Sequence, residues 1–174
     1  MKKWLLILLF IPLLAKAQNK QYVFEKDSAG KYNLSYIHNF YNRTGDVVAF
    51  VAKEFLKNRE DRLGEIVHDA TNDRYITHIS WNLKGYKKGC VSRAVVEAEV
   101  RIYYKDNRTK IEFSNFILRD VTGICKSGPI EELEASKCCE TYQPILYKIG
   151  WKSYLISGEY KKFLRKKARD PNLF

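Results

Sequence analysis

The chain has 174 residues, 31 Lys and Arg against 20 Asp and Glu, and a formal net charge of +11. A hydrophobic content of 45% and an aromatic content of 14% exclude a disordered chain, and nine Gly with four Pro exclude collagen-like and low-complexity classes. The length suits one domain, and no repeat at a period of roughly 20–50 residues points to a solenoid.

Met1-Lys2-Lys3 is a positive start, Trp4 to Ala15 is an apolar run, and Ala15-Lys16-Ala17 puts small residues at both recognition positions of a cut before Gln18. This is the three-part pattern of a secretory signal peptide. The run is shorter than the roughly 20 apolar residues that a membrane span needs, although an uncleaved N-terminal anchor is the competing reading. Cleavage removes Lys2, Lys3 and Lys16, so 28 cations face 20 acids and the mature chain carries +8. Residues 18–174 are then expected to form one α+β domain in the periplasm or beyond the cell, with no further transmembrane span.

Tyr22 to Lys26 and Tyr32 to Ile37 are β-prone runs around Asp27-Ser28-Ala29-Gly30, which predicts a hairpin. Val47 to Asn58 reads as a helix that Thr44 or Asp46 can cap, with Val48, Val51, Ala52, Phe55 and Leu56 on one stripe. The period then changes to two. Glu65 to Ala70 and Tyr75 to Leu83 are strands around Thr71 to Arg74. In Val91 to Tyr104 the apolar Val96, Ala98, Val100 and Ile102 alternate with Glu97, Glu99 and Arg101, the pattern of an antiparallel sheet with one wet face. Asp106-Asn107 is a turn, and Lys110 to Leu118 returns with Ile111 and Phe113 on one side. Ile130 to Lys137 predicts one or two helical turns. Trp151 to Lys167 predicts a closing helix whose apolar contacts are Trp151, Tyr154, Leu155 and Phe163. The fold class is therefore α+β, a curved antiparallel sheet with helices packed on one face.

Four cysteines, Cys90, Cys125, Cys138 and Cys139, lie in the mature part. In an oxidising compartment an even count points to disulfides. Adjacent Cys138 and Cys139 are too close to bond each other with normal geometry, so two of the three pairings survive. A bridge from Cys125 to either neighbour closes a short loop worth about 3 kcal/mol in the chain-entropy account. Buried free thiols are the alternative. No C-x-x-C occurs, which argues against thioredoxin-like and zinc-ribbon sites.

The order of elements resembles a family of secreted bacterial proteins of unknown function whose domain folds like the TATA-binding protein. The resemblance runs from about Tyr32 to Leu118. The helix Val47 to Lys57, the Glu65 to Leu83 hairpin and the pair within VVEAEVRIYYKDNRTKIEFSNFILRD carry it, the last strand closing on Asn115-Phe116. It implies a TATA-binding-protein-like fold and no activity, cofactor or catalytic residue. The four cysteines and the stretch from Ile124 to Glu140 depart from the family's pattern.

Catalytic constellations are sparse. His68 and His78 look like a metal pair, but with Thr71 to Arg74 as the turn, His68 faces Thr77 and His78 faces Val67, on opposite sides of the sheet. Glu131 and Glu134 share a helix side, as acid–base pairs can. Neither G-x-S-x-G nor a P-loop occurs; Gly85-Tyr-Lys-Lys-Gly89 reads as a strand connection. No catalytic, metal or cofactor residue is assigned. The most specific feature is the basic end: Lys161, Lys162, Arg165, Lys166, Lys167 and Arg169, which complement the helix macrodipole or attract an anionic surface. Export argues against nucleic acid, and charge alone is not sequence readout. The leading expectation is a non-catalytic envelope protein binding a protein or surface partner. The rivals are a hydrolase using carboxylates or a Cys–His pair, and association with an anionic membrane or glycan surface through the basic helix.

Overall fold

The structure, a computed structural model, describes residues 22–84, 93–120, 127–135 and 142–170. The expected leader, the Gly85 to Gly89 connection and all four cysteines lie outside the described residues.

β1 (Glu25–Lys26) and β2 (Tyr32–Asn39) form the expected hairpin. Asp27 builds its turn: its carboxylate accepts from the Ala29 and Lys31 amides, both at 2.9 Å, and Gly30 supplies the positive φ of 75°. Helix α1 (Gly45–Lys57) follows and buries Val48, Val51, Ala52, Phe55 and Leu56, the stripe that helical spacing predicts. Its cap differs from expectation. Thr44 stands at the N-cap without a side-chain cap bond, and Asp46 sits in the first turn. The Asp106 carboxylate instead accepts from the Gly45 amide at 2.5 Å, and the Asn107 side chain accepts from the Arg43 amide at 2.9 Å. A distant β-turn thus satisfies the helix start, which no local pattern could announce.

β3 (Val67–Asp69) and β4 (Arg74–Lys84) pair around a 3₁₀ turn at Ala70–Asn72. Asp69 caps that turn, accepting from Asn72 Nδ2 at 2.9 Å and Arg74 Nε at 2.8 Å. The turn has the expected four residues but begins one residue earlier, at Ala70, so His68 faces Tyr75 rather than Thr77. The slip is of two residues, an even number, and His68 and His78 still point to opposite faces.

β5 (Arg93–Lys105) and β6 (Arg108–Asp120) are the long central strands. Ser114 faces Glu99 and Ile117 faces Glu97, so Asn115 and Phe116 lie opposite Ala98 alone. Asn115 takes φ 51° at this bulge. The kink turns both Phe113 and Phe116 into the core, where each is fully buried. β7 (Gly128–Pro129), α2 (Ile130–Ala135) and α3 (Tyr142–Lys167) complete the described chain.

The strands form a seven-stranded antiparallel sheet in the order β1-β2-β6-β5-β4-β3, with β7 on β6 beyond the reach of β2. The helices cover one face. Val96, Ala98, Val100, Ile102, Ile111 and Phe113 meet α1 and α3 there in one core. The other face is laced by ion pairs: Arg101 with Glu99 and Glu112, Lys110 with Glu112, and Arg119 with Glu97.

The last helix departs most from expectation. It begins at Tyr142, nine residues before Trp151, and it turns Trp151, Tyr154 and Leu155 outward. Its buried stripe is Ile145, Leu146, Ile149, Ser153, Ser157, Tyr160 and Leu164. Two serines at its centre hide the stripe from hydrophobic periodicity. Small residues are used because the backbone packs closely; a Cβ at Gly150 would collide with the Tyr22 ring. Of the expected apolar contacts only Phe163 packs inward, against Phe55 at 5.7 Å between ring centroids.

Candidate binding edge and groove

β4 is covered unevenly on its outer side. β3 pairs with Arg74 to Ile76, and Leu63 bridges Ile79. Beyond Ile79 no strand pairs with that edge among the described residues. The His78 carbonyl points outward and accepts from the Gly64 amide at 2.8 Å. Antiparallel strands turn N–H and C=O to one side at alternate residues, so Ser80 and Asn82 present their backbone groups to the same edge.

A groove of about 980 Å³ runs beside this edge. α1 contributes Phe55 and Leu56, the turn after it Arg59, β4 Ile79 and Trp81, and α3 Lys152, Leu155, Ile156 and Glu159. The floor is apolar. The rim largely cancels its own charge: Arg59 bonds Glu159 at 2.9 Å, and Arg62 lies 3.5 Å from Asp61. Arg59 also rests 3.9 Å above the Phe55 ring, which fixes the wall between α1 and α3.

The histidines do not assemble a centre. His38 Nε2 lies 2.8 Å from Ser157 Oγ, tying β2 to α3. Burial first, and Lys161 second, hold the His38 pKa below its ordinary value of 6.5. A serine beside a histidine can serve as a nucleophile, but Ser157 is only 3% exposed, and no carboxylate orients the imidazole among the described residues. His68 Nε2 pairs with Tyr104 OH at 2.7 Å and stacks on Tyr75. His78 is exposed on the opposite face. Among the described residues no three His, Cys, Asp or Glu side chains gather as metal ligands. The Glu131 carboxylate accepts from the Tyr32 amide at 2.5 Å, so it is committed to the start of β2. The Glu134 side chain lies outside the described residues.

The basic end is sorted by the helix. Lys161, Lys162, Arg165, Lys166 and Arg169 are exposed. Lys167 instead turns to α1, forming an ion pair with Glu54 at 2.7 Å, and so leaves the set of surface cations. Sequence reasoning missed two features: the open half of the β4 edge and the outward aromatic side chains of α3. Both depend on what packs elsewhere, and the only local signal was the cluster Trp151, Tyr154 and Leu155, which periodicity assigned to the core.

No described helix is long and apolar enough to cross a membrane. No family model matches the chain, and no curated protein matches it. Solved structures do. A TBP-like protein from Parabacteroides distasonis superimposes with a TM-score of 0.64 at 12% identity, covering 80% of this chain and 96% of that one. A DUF4468 family protein from Bacteroides ovatus gives 0.60 at 9% identity, covering 78% of this chain and 88% of that one. At such identities the likeness concerns the fold, which is α+β and TATA-binding-protein-like.

Proposed function

We propose that this chain is a non-catalytic envelope protein, exported by its N-terminal leader and crosslinked through Cys90, Cys125, Cys138 and Cys139, that binds an extended segment of a protein partner along the outer edge of β4. The observation that carries this reading is the Ser80 to Lys84 edge, which no described strand pairs, beside an apolar groove. An added strand would satisfy the Ser80 and Asn82 backbone groups and lay alternate side chains over Trp81, Leu56 and Ile156. The self-compensated rim favours a segment with apolar rather than charged residues at those alternate positions.

A hydrolase has less support, because the groups it would need are already engaged: His38 with Ser157, His68 with Tyr104 and Glu131 with the Tyr32 amide. A nucleic acid has less support still. The middle of the open sheet face carries Glu97, Glu99 and Glu112, carboxylates that neutralise their basic neighbours and oppose phosphate.

Asn82→Pro tests the reading. Its N–H faces the open edge, so proline removes a donor for the incoming strand without breaking the β4–β5 ladder. Partners captured from the native envelope by the wild type are expected to be lost by Asn82→Pro, at unchanged thermal stability. Capture that is indifferent to the substitution defeats strand addition. Non-reducing mass mapping of the same recovered protein is expected to show an N terminus at Gln18 and crosslinked cysteines. An intact Met1 or four free thiols would overturn that part.

A further inference from the structure

The outward face of α3 has two halves. The first carries Tyr147, Trp151 and Tyr154, which are 56%, 44% and 36% exposed. They form a cluster: Trp151 stacks on Tyr154 at 6.2 Å and 29°, while Tyr22 lies 5.5 Å from Tyr147 and 6.1 Å from Tyr154. Tyr36 backs Tyr154 from β2 at 6.5 Å. The rings are therefore held in place before any partner arrives, and little side-chain entropy remains to be lost.

The second half carries Lys161, Lys162, Arg165 and Arg169, all exposed. At about 100° per residue Lys161, Lys162 and Arg165 continue the aromatic stripe along the same side of the helix, and Arg169 follows in the turn just beyond its end. Gly158 stands between the halves with open space where a Cβ would be. The acids of this stretch, Glu159 and Asp170, fall to one flank, and Glu159 is bonded to Arg59.

We propose that this face of α3 docks on an anionic bilayer surface, with the aromatic half at headgroup depth and the basic half against lipid phosphates. Three properties favour a bilayer over a protein pocket. Trp and Tyr, each an apolar body with a polar tip, are the side chains that settle at a membrane interface. The charge is of one sign and complements anionic headgroups. From Tyr147 to Lys167 the helix extends 20 residues at about 1.5 Å each, about 30 Å, which gives the face the length to lie along a flat surface. The site is separate from the β4 edge, and it adds the aromatic anchor that a basic tail alone lacks.

The test uses the processed chain, residues 18–174, the form that the proposed cleavage before Gln18 leaves. It is expected to sediment with vesicles of phosphatidylglycerol and phosphatidylcholine in equal parts and to remain free of pure phosphatidylcholine vesicles. Trp151 emission, taken as the difference between wild type and Trp151→Phe, is expected to shift to the blue on binding. Each cation contributes about fivefold near a charged bilayer, so replacing Lys161, Lys162, Arg165 and Arg169 together by Gln should weaken partitioning by about a hundredfold or more. If that variant fails to fold, the emission shift and lipid dependence of the wild type still decide. No sedimentation, equal sedimentation on neutral vesicles, unaltered partitioning of a folded quadruple variant, or bound protein with unshifted Trp151 emission would each overturn the proposal. So would binding to soluble dextran sulfate without binding to the bilayer, which would mark a polyanion site instead.

Discussion

At the residue scale, His38 shows how one contact carries both packing and a pH dependence. It bridges β2 to α3 through Ser157 and lies 5.7 Å from the buried Tyr160 ring. Lys161 and Arg165 share its groove, so the surroundings are cationic as well as dry. Its folded pKa is lowered, so the unfolded chain takes up the proton first as pH falls. The stability that neutral His38 contributes is complete above about 6.5 and drains as pH drops below that value. Thermal unfolding at pH 5 and pH 7.5 is expected to show this loss, and His38→Gln is expected to flatten it; an unchanged slope in the variant would assign the dependence to another group. Tyr36 is the opposite case. Burial, then the nearby Tyr22 and Tyr154, push its phenol up to about 12, so Tyr36 itself stays neutral at ordinary pH. Asn115 shows a third kind of residue effect. It holds a left-handed φ of 51° that asparagine tolerates, and its side chain donates to Glu99 at 3.0 Å, fixing the bulge that aims Phe116 inward.

At the element scale, α1 is amphipathic by its own sequence but begins where the β5–β6 turn tells it to. The Asp106 carboxylate takes the Gly45 amide, a donor that Thr44 leaves unsatisfied. Asp106→Ala is therefore expected to cost about 1 kcal/mol, the usual worth of a helix N-cap, while Thr44→Ala costs less than about 0.5 kcal/mol. Chemical denaturation of the two variants checks the order, and a costlier Thr44→Ala would show that the local cap governs after all. α3 has the converse history. Two faces of the same helix are partly apolar, and propensity does not rank them. The face that meets the sheet wins because Gly150, Ser153 and Ser157 let the backbone approach Tyr22, His38 and the core. Trp151 is too bulky for such an approach and is left outside.

At the scale of the whole molecule, the sheet is strongest at its centre and weakest at one edge. β5 is paired on both sides along most of its length, and β6 is flanked by β5, β2 and β7. β4 is half covered. Amide hydrogen exchange should follow that order: β5 and β6 slowest, and the outward amide of Asn82 fast in the isolated protein. Slow exchange at Asn82 without a partner would mean that the edge is already occupied. The open sheet face contributes little to docking, because its charges satisfy one another across β5 and β6. Among the described residues, the surfaces left with unmet chemistry are the β4 edge beyond Ile79, where no strand pairs, and the exposed cations on the outward side of α3.

What the sequence determined by itself was what local periodicity can encode. The alternation through Val96 to Ile102, the stripe Val48 to Leu56 and the placement of His68 and His78 on opposite faces all follow from the geometry of one element or one hairpin. The α+β class was legible for the same reason, and the TATA-binding-protein-like fold came from the resemblance that this element order and the Val95 to Asp120 stretch bear to a known family. Tertiary structure decided everything that required two distant segments to meet: Asp106 capping α1, Lys167 drawn to Glu54, the Asn115 bulge opposite Ala98, and the choice of which α3 face is buried. Such choices depend on shape and free hydrogen-bonding groups across the fold, which are properties of the packed molecule and of no single stretch of chain.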